Sequence, residues 1–91
     1  MGQKPMGTAG PLSQQVAREI DHIRRQTGIT VSELVRLAGM GANTYYTKMR
    51  GERPFTTNEV DNLARALGLS AQLLLVRAED SITPKKQQNR G

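Results

Sequence analysis

Residues 42–53 read ANTYYTKMRGER, and this run holds the side chains best suited to chemistry with a nucleic acid. On a helix turning about 100° per residue, Tyr45 and Met49 stand one turn apart and, with Ala42, mark an apolar side. The opposite direction passes through Asn43 and Thr47, flanked by Thr44 and Arg50. An Asn amide can pair with adenine N6 and N7 together, and a Thr hydroxyl can bond a base edge while its methyl lies on thymine C5. Asn43, Thr44 and Thr47 are therefore the candidate readers of base edges in the major groove of double-stranded DNA. Tyr46 and Lys48 fall on the shoulders of that face, where a sugar-phosphate wall would be met, and Arg50 and Arg53 lie beyond as charge-assisted phosphate donors. Thr30, opening the preceding helix, adds free amides and a positive dipole end for a further phosphate.

Charge collects in the same place. The 91 residues hold 13 Lys and Arg against 8 Asp and Glu, a formal charge of +5. Arg36, Lys48, Arg50 and Arg53 face only Glu52 within residues 36–53, whereas the rest of the span from Ser13 to Ala78 is balanced. A local excess of this kind is the electrostatic footprint of a phosphate backbone.

Other chemistries find little support. With no Cys, there is no disulfide framework, thiolate metal site or thiol nucleophile, and a reducing, cytoplasmic setting is expected. His22 is the sole histidine, so no metal site is expected. Glu19 and Asp21, two apart, would point to different faces of a helix and form no acid/base pair. The glycines at 39 and 41 lack the strand–helix context of a nucleotide-binding loop. Neither an enzyme nor a cofactor is expected. The longest apolar run, Leu73 to Val76, is far short of the roughly 20 residues that span a bilayer. No apolar stretch near Met1 reads as a signal peptide, and Met6 stands where a myristoylation signal would carry Ser or Thr.

The elements that must position the candidate face follow from punctuation. A chain of this length accommodates one small domain. Residues 1–12 and 79–91, rich in Gly, Pro, Gln and charge, read as flexible tails around a domain at 13–78. Five helices are expected within it. The first runs from a cap at Ser13 to Gly28 with Val16, Ile20 and Ile23 as its buried stripe. Thr30 and Glu33 form a capping box for the second, stapled by Ile29 and Leu34 and ended by Gly39. The third spans about Ala42 to Arg50. Thr56 and Glu59, stapled by Phe55 and Val60, open the fourth, which ends at Gly68. The fifth begins at Ser70 and fades around Ala78. No segment alternates with a strand's period, so the class is all-α.

Only Gly39-Met40-Gly41 joins the second and third helices, the short glycine turn of a helix-turn-helix. Together with residues 29–34 (ITVSEL), Ala38-Gly39-Met40, Tyr45, residues 50–54 (RGERP) and residues 63–70 (LARALGLS), this spacing resembles the Cro and lambda-repressor-like helix-turn-helix family, often called XRE. The resemblance covers nearly all of Val16 to Leu74. It implies a five-helix bundle whose third helix enters the major groove, usually in a two-fold dimer on a near-palindromic operator. Three positions depart from the family pattern. Val31 replaces a Gln that touches phosphate, and Lys48 stands where an apolar residue is common, so that its stem is expected over the core edge with the ammonium directed outward. Met49 replaces a Glu that pairs with an Arg of the first helix, here Arg24, which is left for solvent or another partner.

Four consecutive apolar residues, Leu73 to Val76, point around the whole fifth helix and cannot all enter one small core. Leu75 and Val76 are therefore the candidate dimer interface, with at least one expected to be exposed in the monomer. The functional expectation is a sequence-specific DNA-binding transcriptional regulator, a phage- or mobile-element-type repressor acting as a homodimer. Two alternatives stand beside it: an antitoxin-like protein-interaction module of the same fold, and a nonspecific architectural DNA binder.

Overall fold

The computed structural model describes residues 9–82, which form five α-helices and no strand: α1 (Pro11–Thr27), α2 (Val31–Ala38), α3 (Ala42–Met49), α4 (Thr57–Ala66) and α5 (Ala71–Ile82). The apolar stripe of α1 is buried as its spacing requires, with Val16, Ile20 and Ile23 meeting Leu34 and Val35 of α2, Tyr45 of α3, Leu63 and Ala64 of α4, and Leu74 of α5 in one core. Helix α1 packs chiefly on α5, and α2 on α4. The short α3 is held by α1 and α2 along one side and leaves its other side open.

Helix ends are set by local chemistry, with two differences from the expected boundaries and one from the expected capping. The first helix starts at Pro11, because Gly10 is extended and a proline at the first helical position gives up no hydrogen bond. The Ser13 hydroxyl, free of capping duty, accepts the Phe55 N–H at 3.4 Å instead. At α2 only half of the capping box forms. The Thr30 hydroxyl accepts from the Glu33 amide at 3.1 Å, but the Glu33 carboxylate turns to Arg36 at 2.7 Å. At α4 the box is complete, with Thr56 and Glu59 each accepting the other's backbone N–H. The fifth helix continues past Ala78 to Ile82, since Ala78 is fully buried and both Arg77 and Ser81 reach Glu19 of α1. The expected tails therefore lose residues 9–12 and 79–82 to the fold, and their remaining residues, 1–8 and 83–91, lie outside the described residues.

Gly39 ends α2 at φ +71°, a left-handed conformation that a side chain would strain. The amides of Gly39 and Met40 close the last turn of α2 on Arg36 and Val35 carbonyls, which redirects the chain into α3 within three residues.

Candidate nucleic-acid interface

Tyr45 fixes the position of α3. Its ring is 1% exposed, lies edge-on to Tyr46 with centroids 5.5 Å apart, and fills the space between α1 and α2. Among the described residues, no group meets the hydroxyl in full hydrogen-bond geometry, and the Arg24 side chain lies beside it. Burial pushes the phenol above its ordinary value, against the lowering effect of the nearby Arg24 charge. Arg24 beside it donates to the Ile29 carbonyl at 3.0 Å and pairs with Asp21 at 3.3 Å. It thereby ties the end of α1 to the turn entering α2, while Met49 packs half-buried on the core in place of a charge.

With Tyr45 inside, the residues one side of it face out. Asn43 and Thr44 are exposed and Thr47 is half-buried. All three line one shallow concavity of about 400 Å³ together with Lys48 and Arg53. Ala42, expected on the apolar side, is exposed as well, because the first turn of α3 projects beyond the core. Tyr46 is 46% exposed on the flank, and Thr30 is exposed at the start of α2.

Two of the three basic residues expected at phosphates are already paired. Lys48 does not extend outward: its side chain is 12% exposed and its ammonium meets Glu59 Oε1 at 2.6 Å. The α4 capping box holds the Glu59 carboxylate within reach of the long Lys48 stem. Desolvation works to raise the Glu59 carboxyl. The Lys48 and Thr56 hydrogen bonds, with the Lys48 charge, outweigh it and hold the group below the usual carboxylate range. Arg50 pairs with Glu52 at 2.7 Å in full solvent, a bond that raises the guanidinium and lowers the carboxyl. Arg53 is exposed and, among the described residues, makes no ion pair. Arg18, not singled out in the sequence, bonds to Gln15, makes no ion pair among the described residues, and borders a second depression shared with Gln14, Met49, Arg50 and Gly51. Sequence could not place it there, because α1 and the end of α3 are more than 30 positions apart.

The Lys48–Glu59 pair gives a testable acid dependence. Glu59 is lowered in the fold, so its contribution is present above the ordinary carboxylate range and is lost as pH falls through the lowered value. Glu59→Gln is expected to cost about 1.5–3 kcal/mol near neutral pH, the range for hydrogen bonds to charged groups. Thermal unfolding followed by circular dichroism should show this gap shrinking as pH falls below the ordinary carboxylate range; a gap that persists unchanged at acid pH would mean that the ionised Glu59 carboxylate is not its source.

Comparison with known proteins agrees with the geometry. Residues 15–75 match the family described as a helix-turn-helix domain. No curated protein sequence matches the chain. Solved structures do. The clp gene regulator ClgR from C. glutamicum superposes with a TM-score of 0.72 at 20% identity, covering 81% of this chain and 96% of that one. The wild-type restriction-modification controller protein C.Esp1396I gives 0.71 at 19% identity, covering 80% and 95%. A hypothetical transcription factor NHTF from Neisseria gives 0.65 at 20% identity, covering 94% and 93%. At these identities the likeness is one of fold, and it spans 80% or more of this chain and 93% or more of each of those. With the family match over residues 15–75 and the glycine turn between α2 and α3, the chain belongs to the XRE-like helix-turn-helix family and has the fold of its transcription regulators.

Proposed function

We propose that this protein is a sequence-specific DNA-binding transcriptional regulator, of the phage- or mobile-element repressor kind, that seats α3 in the major groove and acts as a homodimer on a near-palindromic operator. The observation that carries the reading is the convergence of Asn43, Thr44, Thr47 and Arg53 on one open concavity of the second helix of a helix-turn-helix. Amide and hydroxyl side chains in that position read base edges, and a guanidinium at the rim meets phosphate. Thr30 and Tyr46 flank the groove as further backbone contacts, and Arg50 joins them by exchanging Glu52 for phosphate. Lys48 acts through Glu59, setting the angle of α3 against α4. That ClgR and C.Esp1396I are described as a gene regulator and a controller protein supports the regulatory part of the reading.

Selection of bound duplexes from a random pool tests it. A two-fold motif with half-sites about 10 bp apart is expected, and binding without any enriched motif would overturn sequence specificity.

Salt dependence distinguishes the two arginines. Each phosphate contact steepens the dependence of log K on log salt by about 0.9, so Arg53→Ala should shallow the slope by nearly one and weaken all sequences alike. Arg50→Ala should do less, since Arg50 must first surrender Glu52. Titrations between about 50 and 200 mM salt would resolve this; equal losses for both variants would mean that Glu52 does not compete.

A further inference from the structure

The loop from Arg50 to Thr56 carries Arg50 and Arg53 and links the recognition helix to α4, yet its only regular feature is Gly51 at φ +83°. Backbone bonds from Gly51 and Glu52 to the Lys48 and Thr47 carbonyls close the end of α3. Beyond those, the hydrogen bonds that tie residues 51–55 to another element, among the described residues, run to one place: the start of α1. The Ala9 N–H donates to the Gly51 carbonyl at 3.2 Å, and the Phe55 N–H donates to the Ser13 hydroxyl at 3.4 Å. The Gln14 side-chain amide donates to the Ala9 carbonyl at 2.9 Å, and its stem lies where a Cβ on Gly51 would touch it at 3.7 Å. Ala9 is 4% exposed although it precedes any helix.

We infer that Gln14 and the Ala9 backbone form a clasp that positions the basic loop for the phosphate backbone. The inference rests on the DNA-binding reading above and adds to it a cause for the loop's geometry. Gln14 folds Ala9 back toward the loop, the Ala9 N–H holds Gly51, and Arg50 and Arg53 on either side are thereby presented in one arrangement rather than many. Gln14 carries no charge, so it changes the cost of ordering the loop and leaves the number of phosphate contacts unaltered.

The test uses the full chain with Gln14→Ala, and Ala9→Pro as a second variant that removes the donor to Gly51 without touching Gln14. Without DNA, amide hydrogen exchange at Gly51, Glu52 and Phe55 should quicken by about tenfold or more in both, while Leu63 in the core of α4 stays as protected as in wild type. Affinity for the selected operator and for a random duplex should fall by the same factor, about 3- to 10-fold, with the salt slope and the selected motif unchanged. A thermal midpoint that falls with affinity, or loop exchange that stays at the wild-type rate, would overturn the clasp. So would variants that loosen the loop yet bind as tightly as wild type. If the wild-type chain binds no duplex at all, the DNA-binding reading fails and the positioning role with it, whereas failure of the clasp alone leaves wild-type binding intact.

Discussion

Asn43→Ala will lower affinity for the selected operator by about 1–3 kcal/mol and will relax preference at one adenine-bearing position in each half-site. The size follows from what is lost: a bidentate amide pair discriminates against a wrong base, whereas alanine offers neither donor nor acceptor. The fold should be untouched, since Asn43 is exposed and the core contact of α3 is made by Tyr45. Random-duplex affinity should therefore stay near wild type, which separates readout from backbone binding. Thr47→Ala should behave in the same direction with a smaller effect, because a single hydroxyl or methyl contact replaces two aligned bonds. Repeating the selection with each variant is the decisive measurement. If the Asn43→Ala variant recovers the wild-type motif at undiminished stringency, the reading face is elsewhere on the molecule.

The helix-turn-helix and its outward face were legible because their causes are local. Residues one turn apart, Val16 with Ile20 or Tyr45 with Met49, declare a face without any knowledge of what packs on it. Caps and staples act over three to five positions, which is why the starts of α2, α4 and α5 fell where the punctuation placed them. The misplaced ends have non-local or competing causes. Ser13 resembles a cap, but Gly10 and Pro11 fill that need earlier and leave its hydroxyl to Phe55, 42 positions away. Glu79 and Asp80 sit unfavourably for the dipole at the end of a helix, so the sequence argues for an end near Ala78; burial of Ala78 and the reach of Arg77 and Ser81 to Glu19 prevail.

The same distinction governs the charges. Counting Lys48, Arg50 and Arg53 finds a basic region, but counting cannot reveal that Glu59, 11 positions on, draws Lys48 inward, or that Arg50 already holds Glu52. A positive cluster in sequence thus becomes, in the fold, a Lys48 turned onto Glu59, an Arg50 held by Glu52, and an exposed Arg53 that makes no ion pair among the described residues.

For the proposed homodimer, replacing Leu75 or Val76 by glutamate is expected to leave helical monomers and to reduce operator affinity by about 10²- to 10⁴-fold, the range over which linking two weak sites raises avidity. Helix α5 buries only Leu74 and Ala78. Leu73, Leu75 and Val76 are 44%, 36% and 47% exposed, leaving an apolar patch on the first half of α5. Leu75 also borders an apolar groove of about 300 Å³ shared with Leu12, Val16, Phe55, Val60 and Ala71, so the exposed surface continues from α5 onto the start of α1. Covering such a surface yields roughly 25 cal/mol per Å² of apolar area removed from water. In the proposed dimer a second copy related by a two-fold axis would cover the patch with its own image and would set two α3 helices for successive major grooves, as a near-palindrome demands. A glutamate in that patch opposes association through desolvation and through repulsion from its symmetry mate, yet at an exposed helical position it leaves the monomer folded. Sedimentation with operator titration separates the outcomes. Monomers of full helicity with weakened operator binding and unchanged affinity for an isolated half-site support the α5 interface, and variants that remain dimeric with wild-type affinity place it on another face.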